Sequence, residues 1–200
     1  MTKLDKLFLS LILYPIFPIL FFLVFWWISV PYIQEQYVYI SALLGICLGI
    51  LIDIFFVKKY ISKGYDLNNI SLILIYLFYS VCIFGFFMGV PVFNILLGIP
   101  AGIYTARKIY YKNIKEKEKL ITNTCIFTSI AMLFICISSA VIALLSESTI
   151  SDLTGMLNLQ FTLTPLMLRI GIVIGGIFLV ILQYFVTKIS TTYTEKLNLN

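Results

Sequence analysis

Four side chains that can ionise or make strong hydrogen bonds lie within or at the edge of otherwise apolar runs: Asp53, Asn94, Arg169 and Gln183. At the centre of a membrane helix an Asp or Arg costs on the order of 3 kcal/mol, so such a group is held there by a partner, by water or by a solute. Asp53 closes a stripe, Ser41, Gly45, Gly49 and Asp53, that repeats every fourth residue and therefore runs along one side of a helix. It is a candidate binding or coupling carboxylate. The alternatives are a wet carboxylate beside Lys58 or Lys59 at the membrane boundary, or a protonated acid packed among apolar neighbours.

Asn94 shares a face with Gly98, Ala101, Gly102 and Thr105, and Pro100 is expected to kink that helix near its middle. A kink releases a backbone carbonyl at membrane depth, where it can bind a solute or ion if it lines a cavity. The plainer reading is an Asn bonded across a hairpin. Arg169 stands about two residues inside the outer end of the last apolar run, on a face shared with Gly176 and Gln183. It snorkels to the outer headgroups, pairs with Glu147, Asp152 or Glu35, or faces an anion at a vestibule.

Other chemistries are excluded by what the chain lacks. There is no His, which removes imidazole-based triads, proton relays and the zinc sites that need it. No phosphate-binding loop, nucleophile elbow or dinucleotide fingerprint occurs. Cys47, Cys82, Cys125 and Cys136 fall within apolar runs without a Cys-x-x-Cys pair and read as packing residues. No catalytic residue, metal or cofactor is expected, and the chain does not read as an enzyme.

These side chains must be positioned by membrane helices. The composition is 61% hydrophobic and only 12% charged, with a mean hydropathy of +1.04, whereas soluble domains carry roughly 25% charged residues. Apolar runs long enough to cross as helices are read at residues 7–29, 38–57, 70–87, 91–106, 121–145 and 166–187, the fourth being the shortest. The first is too long for a signal-peptide core and is not followed by a small-residue cleavage site, so it is expected to be retained. Phe25, Trp26, Trp27 and Tyr32 mark its outer end as an aromatic belt.

Charge sets the orientation. Of the 14 Lys and Arg residues, all but Arg169 lie before the first run, between the second and third, between the fourth and fifth, or after the last. Positive residues stay on the cytoplasmic side, so both termini are expected there. The net charge of +5 is then a topogenic signal and an attraction to anionic headgroups. The Lys115–Lys119 run alternates in sign and reads as a solvated helical face rather than a nucleic-acid site.

Small residues four apart recur in four runs: Gly45 and Gly49, Gly85 and Gly89, Gly98 and Gly102, Gly171 and Gly175. In lipid, helices associate through close backbone approach, which such pairs permit. The expected fold is thus all-α: a polytopic integral membrane protein of the cell membrane, a compact six-transmembrane-helix bundle forming one domain over residues 1–200. Its partners are the lipid bilayer and, through the Gly faces, other membrane subunits or a second copy. The expected function is that of a small permease or membrane subunit of a transport system for a small solute or ion. The alternative is a non-catalytic accessory or assembly protein that packs against partner helices.

Overall fold

The computed structural model describes residues 1–146, 148–156 and 163–198, with the side chains of Phe56, Lys58, Lys59, Met156 and Asn198 outside that description. Every regular element among these residues is helical. The chain divides into two compact units, Met1–Asn68 and Asn69–Asn200.

In the first unit, α1 (Lys3–Leu13) and α2 (Ile16–Ser29) run antiparallel to α3 (Glu35–Ile61), and a short 3-10 turn, Gly64–Asp66, closes the unit. The first apolar run therefore begins earlier than its hydropathy implies and is interrupted within. Thr2 and Asp5 form a capping box that starts the helix at Lys3. The interruption falls at Tyr14 and Pro15, because Pro15 has no N–H to continue the ladder. Pro18, one turn further on, adds a second missing donor.

The α2–α3 contact follows from the glycine stripe. Ser41 Oγ donates to the Phe25 carbonyl at 3.4 Å. A Cβ on Gly45 would collide with the Phe21 carbonyl, and one on Gly49 would lie 2.5 Å from Pro18 Cα and N. The two backbones thus meet wherever α3 lacks a side chain. At the other end, Leu9 packs over Gly64, and buried Tyr65 donates its hydroxyl to Asp5 Oδ1 at 3.1 Å.

In the second unit, α4 (Asn69–Phe86) turns through Phe87–Val90 into a 3-10 segment, Pro91–Leu97, that continues as α5 (Gly98–Lys112). Next come α6 (Lys117–Leu145), short α7 (Thr149–Met156) and α8 (Pro165–Asn198). The α4 turn uses Met88 and Gly89 at positive φ, +53° and +79°. The Gly89 N–H bonds back to the Phe84 carbonyl at 2.8 Å, the five-residue reach of a Schellman closure. Stacked rings of Phe87 and Phe93, with centroids 3.9 Å apart, clasp the hairpin. Helix α5 packs against α8 and α6, and α8 also lies along α6.

Among the described residues, five helical stretches are long and apolar enough to cross a membrane: Lys3–Ser29 (α1 with α2), Glu35–Phe55, Asn69–Phe86, Lys117–Leu145 and Pro165–Leu197. Their outward faces are apolar, with Trp27, Phe55, Leu145 and Ile174 all more than 60% exposed, as lipid contact requires. The chain is thus a multi-pass membrane protein by helix length and hydropathy. The expected fourth span, 91–106, is not a single helix and is absent from the five. Pro100 does not kink its middle; the chain changes from 3-10 to α at Gly98, and Pro100 falls in the first turn of α5, where its missing N–H costs little.

Candidate functional site

The two compact units hold contrasting sets of buried polar groups. In the first unit there are two buried carboxylates, Asp5 at 2% exposure and Asp53 at 3%. Asp5 is saturated: its Oδ2 accepts from the Thr2 N–H at 3.0 Å and the Thr2 hydroxyl at 2.6 Å, and its Oδ1 accepts from Tyr65. Asp53 is not, because its Oδ1 is buried without a hydrogen-bond partner among the described residues.

The register of α2 on α3 fixes what Asp53 faces. Ser41 meets Phe25, Gly45 meets Phe21, and Gly49 meets Phe17 and Pro18. One further turn along α3 brings Asp53, and one turn back along the antiparallel partner brings Leu13 and Tyr14. This is the junction between α1 and α2. The Tyr14 carbonyl would normally accept from the N–H four residues on, but that residue is Pro18. The Pro18 nitrogen lies 2.5 Å from where a Gly49 Cβ would stand, and helix geometry sets the Tyr14 carbonyl beneath that nitrogen. On this register the turn of α3 that carries Asp53 lies opposite the turn that carries Tyr14. Lys58 and Lys59 follow Asp53 by five and six residues, roughly 120–140° around the helix from it; their side chains lie outside the described residues.

The second unit gathers neutral polar groups. Asn94 is 2% exposed, and its Nδ2 donates to the Ser80 carbonyl at 2.9 Å. Gln183 is fully buried, and its Nε2 donates to the Tyr76 hydroxyl at 3.0 Å. Tyr76 and Ser80 are one turn apart on α4, so the two amides anchor to adjacent rungs of one helix. Both amide oxygens, Asn94 Oδ1 and Gln183 Oε1, are buried without partners. Gly98 makes room for Gln183 and Thr187: a Cβ there would lie 3.0 Å from Gln183 Nε2 and 2.9 Å from Thr187 Oγ1. Asn94 does bond across the hairpin, but that bond uses only its nitrogen.

A hydroxyl seam continues from this layer. Thr187 donates to the Gln183 carbonyl at 3.0 Å and meets Thr128 Oγ1 at 3.0 Å, while Thr191 donates to the Thr187 carbonyl at 2.8 Å. Thr128, Thr187 and Thr191 are all fully buried. Ser190 donates to the Ile99 carbonyl at 2.9 Å beside Gly102. Sequence reasoning singled out Gln183 and missed the rest of the stripe, since the sixth run was ended at residue 187. The signal was present: Gln183, Thr187, Thr191 and Thr194 repeat at helical spacing along an otherwise apolar helix.

Arg169 is exposed and makes no ion pair among the described residues; Glu147, one expected partner, lies outside them. Asp152, another, accepts from the Ser148 hydroxyl at 2.7 Å. Although Arg169 and Gln183 belong to one helix, the first faces outward and the second is enclosed. The eight expected packing glycines also separate. Gly45, Gly49, Gly98 and Gly102 stand against neighbouring helices, Gly89 serves the turn, and Gly85, Gly171 and Gly175 meet nothing within 4 Å. No group of three or more His, Cys, Asp or Glu residues gathers among the described residues. The chain matches no protein-family model, no curated protein and no solved structure.

Proposed function

We propose that this chain is a small permease, or the membrane subunit of a transport system, for a small solute or ion. The observation that carries this reading is Asp53: a carboxylate 3% exposed, inside a membrane-length helix, with an oxygen that nothing satisfies. Burying an unpartnered carboxylate costs several kcal/mol, and in lipid such a group marks a pathway for solute, ion or proton. The unpartnered amide oxygens of Asn94 and Gln183 extend the same logic to the second unit.

On this reading the chain crosses the plasma membrane six times with both termini in the cytoplasm. Residues 91–106 supply the remaining crossing: seven 3-10 residues at about 2.0 Å each and nine α residues at about 1.5 Å each reach about 28 Å, close to a typical hydrocarbon core of about 30 Å. The test is flux across vesicles reconstituted with purified protein, with H⁺, Na⁺ and K⁺ followed by entrapped dyes and urea and glycerol by light scattering. Folded protein should pass at least one of these faster than protein-free vesicles do, and Asp53→Asn should reduce that flux at least tenfold.

A second reading, a non-catalytic accessory protein that packs against partner helices, is favoured by the open face of α8. A Cβ on Gly171 or Gly175 there would meet nothing within 4 Å among the described residues, the arrangement by which a partner helix can approach closely. Under this reading Gly175→Leu breaks a native complex while flux through isolated protein is absent from the outset.

A further inference from the structure

We infer that Asp53 and the Tyr14 carbonyl form a binding site for a monovalent alkali cation within the first unit. This deepens the transport reading at the same carboxylate, yet binding is measurable without flux.

Three observations converge on the site. Asp53 Oδ1 is buried and unpartnered among the described residues, so the site holds an oxygen with lone pairs to give. Pro18 deprives the Tyr14 carbonyl of its helical donor, and helix geometry sets that carbonyl beneath the Pro18 nitrogen, which stands against Gly49 of α3. The register of the two helices sets the turn that carries Asp53 opposite the turn that carries Tyr14. Carbonyls at a helix interruption together with a carboxylate are a set that membrane proteins use to strip water from an alkali ion.

Charge selects the class of ion. One carboxylate and one neutral carbonyl balance a single positive charge, whereas a divalent ion would leave an uncompensated charge beside lipid. The ligands are hard oxygens, which favour alkali and alkaline-earth ions over soft metals. The saturated state of Asp5 shows that this unit can satisfy a buried carboxylate entirely from its own donors; at Asp53 it supplies none to Oδ1, and a cation completes the group.

The test is the thermal unfolding of full-length protein in detergent, titrated with NaCl against choline chloride at constant ionic strength, and repeated with KCl and LiCl. Wild-type protein should show a saturable rise in Tm with at least one alkali ion, on the order of 5 °C. Asp53→Asn should lose it. Pro18→Ala, which returns an N–H to the Tyr14 carbonyl, should raise the half-saturating concentration at least tenfold while leaving the carboxylate in place. Indifference of the wild-type protein to all three ions overturns the inference, as does a rise that survives in Asp53→Asn. If Asp53→Asn does not fold, ion-minus-choline infrared difference spectra of wild-type protein decide: a shifted carboxylate stretch supports the site, and a carboxylic-acid band unchanged at saturating ion refutes it. Ion binding without flux would keep the site and remove the transport reading; flux without an ion response would do the opposite.

Discussion

At the residue scale, the informative distinction is between buried polar atoms that are satisfied and those that are not. Thr187 is of the first kind, bonded to the Gln183 carbonyl and Thr128. Thr187→Val should therefore cost about 1 kcal/mol, because intramembrane hydrogen bonds are individually modest; detergent unfolding would measure it, and a loss several times larger would mean the seam acts as one unit. Gln183 is of the second kind, with one amide group bonded and the other bare. Gln183→Leu should leave stability within about 1 kcal/mol of wild type, since it removes a bond and an unsatisfied acceptor together. If the layer serves a solute, the same variant lowers flux despite its intact fold. Asp53, Asn94 and Gln183 were legible as candidates because each is polar within an apolar run. Which of their atoms would lack partners was not legible, because that depends on residues up to 107 positions away, as in the bond from Gln183 to Tyr76.

At the element scale, the same Gly-x-x-x-Gly pattern has three outcomes. Gly49 meets backbone, which cannot yield cheaply; Gly98 meets side-chain ends; Gly171 and Gly175 meet open space. Gly49→Ala should thus destabilise by about 1–3 kcal/mol, while Gly171→Ala should be neutral or slightly stabilising, as glycine is the poorer helix former by about 1 kcal/mol. Equal effects of the two substitutions on thermal unfolding would contradict the α2–α3 contact described here. The spacing alone could not separate these cases, because periodicity names a face and not its neighbour. Prolines were similarly half-legible. Each marks a break in helical hydrogen bonding, but Pro15 sits between α1 and α2, whereas Pro18 and Pro100 both fall in a first turn, of α2 and of α5.

At the scale of the whole molecule, composition and charge carried most of what could be read. Helices of membrane length emerge close to the apolar runs, and differ mainly by extending into polar flanks, as α6 does from Lys117 and α8 to Asn198. Those flanks are tied by an ion pair, Lys117 to Glu195 at 2.9 Å, which is exposed enough to contribute under about 1 kcal/mol. The charge asymmetry predicts that a tag after Asn200 and a label at Lys115 are both accessible only from the cytoplasm; labelling of either from outside intact cells would reverse the orientation. The division into two compact units was not foreseen, since no Pro-rich or polar linker announces it. The most direct test remains flux in vesicles of purified protein and its Asp53→Asn variant, both verified as folded. Wild-type protein should carry at least one of H⁺, Na⁺, K⁺, urea and glycerol faster than bare lipid, and the variant should lose this by at least tenfold; identical flux from the two proteins, or none above bare lipid from either, would rule out transport through Asp53.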